Sequence, residues 1–373
     1  MVQGLLALGH RTPTRRELQL SIAVLLLPLV LQAGPSPKDS NKDSKARTVT
    51  VPVLLLDGGR KLAFEGTFSS ERDVQPKRGF FKKVLNVMVG APEVHSMVRP
   101  FGVVTDSHGR IIVSDPGAGG VHIFDLKERK YKFINRKEKS KEAMTTPQCV
   151  AVDAQDNIYV TDSDLGKIFV FDSSGKLSRV IGSLKHGEGF FKHPTGIAVD
   201  SAAQRIYVAD TWRDQIFVTD MQGSVLKKIG KRGQGEGEFN FPTDLRLDGP
   251  NLLVLDALNF RVQVLDHSGT FQFSIGQLGA NSGEMFRPKS LGIDSEGHLY
   301  IVEGQSAIVQ VFDRQGQLLY YFGKKGTGFG DFQLPTGLFI DREDRVYVVD
   351  SYNRRIQMFR YFASDKQAVG GAQ

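Results

Sequence analysis

Cysteine is all but missing from this chain. Its one copy, Cys149, can close no disulfide within the chain and cannot build a cysteine-based zinc cluster. Tryptophan is as scarce, with Trp212 alone. No His-Glu-x-x-His and no Gly-x-Ser-x-Gly occurs, which removes two common hydrolase signatures. His95, His108, His122, His186, His193, His267 and His298 show no metal-ligand spacing; only His186 and His193 share a connector. No metal and no cofactor is expected. Long apolar runs are missing too. The longest, Leu18–Leu31, is interrupted by Pro28 and falls short of the roughly 20 residues that a membrane helix needs. Excess charge is absent from most of the sequence. The formal +7 lies entirely in residues 1–99, with 15 Lys and Arg against 8 Asp and Glu, while residues 100–373 hold 33 of each. A domain with balanced charge is a poor match for nucleic acid.

The first hundred residues divide by composition. Arg15 and Arg16, the apolar Leu18–Leu31 and the small Ala33-Gly34 have the layout of an export signal over residues 1–34, or of an anchor if it stays uncleaved. The expected location is periplasmic or extracellular, with membrane contact only through that uncleaved segment. Residues 35–57 begin rich in Pro, Ser, Lys and Asp and read as a linker. Gly79–Val89 places Phe80, Phe81, Val84, Leu85 and Met88 at helical spacing.

What the chain has in abundance is repetition. Pro100, Pro147, Pro194, Pro242, Pro288 and Pro335 are spaced 46–48 residues apart. Each opens an apolar strand, as in Pro194-Thr-Gly-Ile-Ala-Val-Asp200 and Pro335-Thr-Gly-Leu-Phe-Ile-Asp341. A second strand ends on an acid: Asp115, Asp162, Asp210, Asp256, Glu303, Asp350. A third ends at Asp125, Asp172, Asp220, Asp266 and Asp313, and a fourth at Asn135, Gly182, Gly230, Gly276 and Gly323. Four short strands cannot bury their own faces, but radial stacking of such units can. The spacing predicts an all-β, six-bladed propeller over residues 100–362 with a polar tail over 363–373. The sixth unit lacks its fourth strand. Lys61–Phe68 resembles one, with Gly66 as the terminal glycine, so residues 58–99 are expected to supply the closing strand and a short inserted helix.

The units resemble NHL repeats. The resemblance rests on Pro-x-Gly-Ile-Ala-Val-Asp, the strand ending in Asp, and an Asn-x-Arg-Ile/Val signature seen in Asp256-Ala-Leu-Asn-Phe-Arg-Val and Asp350-Ser-Tyr-Asn-Arg-Arg-Ile. Glu303-Gly-Gln-Ser-Ala-Ile-Val departs from it. The resemblance implies a six-bladed propeller and leaves the function open, since propellers of this kind serve as scaffolds, RNA binders and enzymes.

Features present in every unit read as structural. These are the strand-ending acids, with Arg261, Arg354 and Lys167 as their partners, and the apolar residue three places before each proline: Met97, Met144, Phe191, Phe239, Met285, Phe332. Cys149 stands where other units have Gly102, Gly196 or Gly337 and reads as a space-filler. Breaks in the pattern are the candidates for function. Asp244 and Arg246 put a charge pair on one side of an innermost strand, where other units are small or apolar. Lys289, Glu303, Trp212 and Tyr352 complete the set. The expected function is an exported, monomeric, non-catalytic scaffold that binds a protein or carbohydrate partner on the rim bearing these six residues. The alternative is a lyase or hydrolase working in the central channel, with Asp244 or Glu303 as base and Arg246 as electrostatic stabiliser.

Overall fold

The computed structural model describes residues 24–29, 49–74, 94–135, 143–184 and 189–363. It is a six-bladed β-propeller. Five blades are four-stranded antiparallel sheets in chain order, each running outward from its innermost strand. In blade 4 the strands are Pro242–Asp248, Asn251–Asp256, Arg261–Asp266 and Phe271–Ile275.

The proline repeat sets the register. Pro147, Pro194, Pro242, Pro288 and Pro335 begin the innermost strands of blades 2 to 6, and each pairs with the acid that ends the next strand. Proline lacks a donor and is tolerated at a strand's first position. The acid does more than open a turn. It reaches back to the connector that precedes the proline: Asp256 accepts from Asn240 N–H at 2.7 Å, Asp350 from Gln333 N–H at 2.7 Å, and Asp210 from Lys192 and His193 N–H at 2.9 Å each. The plug residues are buried in all six units. Phe239 and Phe332 lie against the α-carbons of Gly230 (φ +82°) and Gly323 (φ +90°), where a Cβ would collide with the ring. A glycine ends those strands because only glycine fits both the left-handed backbone and the plug above it. The core lies between neighbouring sheets, as where Tyr207 and Val218 of blade 3 meet Leu245 and Val254 of blade 4.

The ring closes as expected. Lys61–Phe68 pairs antiparallel with Arg355–Phe362 and forms the fourth strand of blade 6. The register differs from the expected one. Phe68 pairs with Ile356 as Ile275 pairs with Val262, so Ser69, not Gly66, takes the terminal-glycine position. Gly66 instead faces Met358 beside a bulge. Blade 6 continues outward: Val49–Leu55, inside the stretch read as linker, pairs with Lys61–Ala63, and Val24–Leu29 from the apolar run pairs with Val49–Leu54. The β-branched and apolar content of Val49–Leu55 suits a strand better than a linker. The described helix is one turn, Glu71–Val74; Gly79–Val89 lies outside the described residues. Among the described residues no helix is long and apolar enough to cross a membrane.

Candidate functional site

Because each innermost strand starts where the second strand ends, the connectors and the loops between second and third strands share one face. Trp212 sits there in the turn Thr211–Arg213, which closes through Asp214 in the left-handed region (φ 51°). Its indole stacks on His193 with ring centroids 4.3 Å apart and planes 6° from parallel, and it remains 54% exposed. Burial holds the His193 imidazole below its ordinary pKa, against the pull of Asp164 and Asp210. Tyr352 occupies the matching loop position of blade 6 and is 59% exposed. Blades 3 and 6 are opposite in a ring of six, so the two aromatics flank the channel mouth without meeting.

Asp244 and Arg246 do meet. The pair is 2.8 Å apart, with Asp244 buried. Asp244 also accepts from Leu245 N–H at 2.9 Å, Ser290 Oγ at 2.6 Å and Leu291 N–H at 3.1 Å. The Arg246 guanidinium donates to the Leu245 carbonyl at 2.7 Å and to the Leu338 carbonyl at 2.8 Å. One ion pair therefore ties the innermost strands of blades 4, 5 and 6. The cavity beside it, walled by Gly102, Cys149, Ser290 and Gly337 among others, holds about 10 Å³. That is space for about one water. Cys149 lies in this wall, where burial first and the Asp244 carboxylate second push its thiol far up, leaving it protonated and unreactive.

Glu303 and Lys289 are neighbours in blade 5. Glu303 is 2% exposed. Its Oε2 accepts from Phe286 N–H at 3.3 Å and Arg287 N–H at 2.9 Å, while Oε1 is buried with no partner. Burial raises the Glu303 carboxyl, against those two N–H groups and Lys289. Lys289 is exposed. Partial burial and then Arg287 lower its ammonium, with Glu303 opposing. The Lys289 stem lies over Gly304, where a Cβ would stand 3.0 Å from Cγ. The six candidate residues thus divide into a sealed brace, a buried carboxylate with a lysine beside it, and two aromatics across the mouth.

One sequence expectation needs correction. Arg261 pairs with Asp256 at 3.0 Å, but its counterpart in blade 6 is Arg355, which lies 2.7 Å from Asp350. Arg354 is the left-handed turn residue (φ 55°) in the place of Phe260. The sequence reading also missed the apolar character of the face. Phe241, Leu258, Leu278 and Phe286 are exposed there, and most exposed large apolar side chains among the described residues share this side. The signal was present in the variable position just before each proline, held by Phe241 and Leu334 where other units have Arg99, Thr146 or His193.

On the opposite face Asp106, His108 and Asp156 gather within metal-ligand reach. Their oxygens are already used. Asp156 accepts from Ser107 N–H and Oγ at 2.9 and 2.7 Å, and Asp106 binds Arg110. Ser295 makes the same bonds to Asp344 between blades 5 and 6 at 2.8 and 2.6 Å, so the motif is an inter-blade clasp.

A family model for a 6-bladed beta-propeller, DUF5128, matches residues 145–210 and 199–252. Curated protein sequences give no match. Among solved structures, the chain is similar to a protein of unknown function from Bacteroides thetaiotaomicron (13% identity, TM-score 0.57, 84% of this chain and 82% of that one). It is similar to an auxiliary nutrient binding protein from the same organism (12%, 0.55, 71% and 69%). A third likeness is to virginiamycin B lyase from Staphylococcus aureus (12%, 0.52, 70% and 95%). At these identities the likeness establishes a six-bladed propeller fold and nothing finer.

Proposed function

We propose that this chain, an NHL-type propeller, is an exported, non-catalytic scaffold that binds a protein partner on its connector face. The observation that carries the reading is the set of exposed apolar side chains on the connector face of blades 3 to 6, from Trp212 and Phe241 through Leu258, Leu278 and Phe286 to Tyr352. Exposed aromatics among charges on a rigid frame suit partner anchoring. The propeller lyase among the structural neighbours keeps an enzymatic reading in view. Against Asp244 as base with Arg246 as stabiliser, the two bond to each other, to Ser290 and to main-chain groups, with only Arg246 Nε unpartnered, and the space beside them admits about one water. A channel enzyme needs its base and its stabiliser free beside a substrate-sized space.

The test is capture of the partner from the medium of the native host by the full chain, compared with Trp212→Ala and Tyr352→Ala. Recovery of one defined protein should fall at least tenfold in the double variant, with the unfolding midpoint unchanged. Undiminished recovery rejects the surface. Capture that survives protease treatment of the medium but not glycosidase treatment moves the reading to carbohydrate.

A further inference from the structure

The connectors that lead into blades 4, 5 and 6 fold through the same main-chain bonds. Gly233, Gly279 and Gly326 donate N–H to the carbonyls of Phe239, Met285 and Phe332, each at 3.0 Å. Glu238, Glu284 and Asp331 donate N–H to the carbonyls of Gly235, Asn281 and Gly328 at 3.2, 3.0 and 3.3 Å. A glutamine bridges each connector. Gln263, Gln310 and Gln357 accept from Gly237, Gly283 and Gly330 N–H and donate to the carbonyls of Glu238, Glu284 and Asp331.

In blades 4 and 6 an arginine of the chain fills the resulting cradle. Arg261 Nε donates to Asp256 at 3.0 Å, and its guanidinium reaches the carbonyls of Gly235 and Glu238 at 2.7 and 3.1 Å. Arg355 Nε donates to Asp350 at 2.7 Å, and its guanidinium reaches Gly328 and Asp331 at 2.6 and 3.0 Å. Asn259 and Asn353 add a bond to the same carboxylates, each at 2.8 Å.

Blade 5 has the cradle and lacks the filler. Ile308 stands opposite Glu303 where Arg261 and Arg355 stand opposite their acids. Ser306 replaces the asparagine. Glu303 Oε1 is left buried without a donor. A second carboxylate of this connector also loses the cation its counterparts have. Glu238 pairs with Lys231 at 3.1 Å and Asp331 with Lys324 at 3.9 Å, but Gln277 stands at that position in blade 5; among the described residues Glu284 makes no ion pair, and its Oε2 accepts from Asn281 N–H at 2.9 Å and Asn281 Nδ2 at 2.8 Å. An unpaired buried carboxylate oxygen is costly, so Glu303 asks for a donor from elsewhere, and the half-exposed Glu284 beside this connector adds negative charge.

We propose that the blade 5 connector is an acceptor site for an arginine side chain of a partner protein, held by the Glu303 carboxylate and the carbonyls of Asn281 and Glu284. The proposal rests on the docking reading only for where the arginine comes from. A planar, five-donor guanidinium matches this acceptor set, and a bare ammonium does not. Lys289 acts on Glu303 and Arg287 acts on Lys289, and these two cations oppose any incoming one, which strengthens the requirement for multiple directed bonds. Because burial raises the Glu303 carboxyl, binding weakens as pH falls and that group takes up its proton.

The test titrates the full chain with N-acetyl-arginine methylamide, and with its lysine counterpart, followed by NMR. Saturable binding of the arginine compound is expected, at least fivefold tighter than the lysine compound. It should weaken at least tenfold in Glu303→Gln and vanish in Ile308→Arg, whose own guanidinium occupies the cradle and whose unfolding midpoint should exceed that of the unaltered protein. If Ile308→Arg does not fold, Glu303→Gln and the lysine comparison decide. No saturable binding, or equal affinity in the unaltered protein and Glu303→Gln, overturns the proposal. The assay uses no partner, so it can fail while capture through Trp212 and Tyr352 succeeds, and the reverse.

Discussion

Asp244→Ala should be among the most damaging single changes in the propeller. Asp244 has 2% of its surface exposed and receives bonds from Arg246, Leu245 N–H, Ser290 Oγ and Leu291 N–H. Alanine removes the acceptor and leaves a half-buried guanidinium with only the Leu245 and Leu338 carbonyls. Breaking a buried pair from one side costs about 3–5 kcal/mol. For a domain of this size, at roughly 2 °C per kcal/mol, the midpoint should fall by about 6–10 °C. A thermal melt followed by far-UV circular dichroism measures that midpoint, and urea unfolding gives the free-energy loss, with the slope checked for constancy. The double variant Asp244→Ser/Arg246→Ala brings both positions close to the pattern of the other units, which carry Ser290 or Gly196 and Ala198 there. It should lose much less than Asp244→Ala alone, because the uncompensated charge is gone. A loss below about 1 kcal/mol in Asp244→Ala at constant slope would refute the brace and return Asp244 to the candidates for channel chemistry.

Gly230→Ala should cost about 2–4 kcal/mol, since the left-handed backbone and the Phe239 ring both oppose a Cβ. Gly109→Ala shares the backbone conformation (φ +77°) but has open space around it, so its loss should stay near 1 kcal/mol in the same urea assay; equal losses would remove the plug from the explanation. Glu303→Gln should raise the unfolding midpoint at pH 8. An acid whose folded pKa is raised adds stability below its unfolded pKa and loses it as pH rises through the folded value, so the gain should shrink towards pH 4; a gain constant with pH would refute the assignment. Asp115→Asn has the opposite sign. Burial of Asp115 is outweighed by His122 and by the N–H groups of Val98 and Arg99, which hold the carboxyl below its ordinary value. The penalty of the substitution should therefore be full at neutral pH and disappear in acid. Deleting residues 58–70 exposes the edge of Arg355–Phe362 and should give aggregated or early-melting protein in a thermal scan; an unchanged melt would count against closure.

The sequence made the blades legible because two rigid chemical constraints recur in it: a proline that begins a strand and an acid that binds the preceding connector. Both mark main-chain geometry, and both sit where the spacing put them. Errors arose where identity alone was read without register. Gly66 looked like a strand terminus because the other blades end on glycine. It lies instead at the bulge between Met358 and Phe359, the position where blade 5 bulges between Val311 and Phe312. Arg354 was read as the partner of Asp350, but Arg355 is the residue five places after the acid, as Arg261 is after Asp256, and it stands opposite Asp350 while Arg354 takes the left-handed turn. The candidate site was half legible. Pattern breaks located Asp244, Arg246 and Glu303, but whether a break is answered from within the fold depends on groups 46 or more residues away, such as the Ser290 hydroxyl and the Leu338 carbonyl.

That distinction sorts the breaks by physical meaning. A repeat protein carries its own controls, because each unit shows what a neighbouring unit would do with the same backbone. In blade 4 the new charges at Asp244 and Arg246 pair with one another and tie three strands, leaving Arg246 Nε alone without a partner, so both charges are answered inside the molecule. In blade 5 the cations that serve blades 4 and 6 are replaced by Ile308 and Gln277, while the acids Glu303 and Glu284 remain. Drift that removed only the cations would leave a destabilised connector, and the simplest relief would be loss of the acids as well. Keeping both carboxylates on the face that also exposes Leu278 and Phe286 is the pattern expected when the missing positive charge arrives with a bound partner.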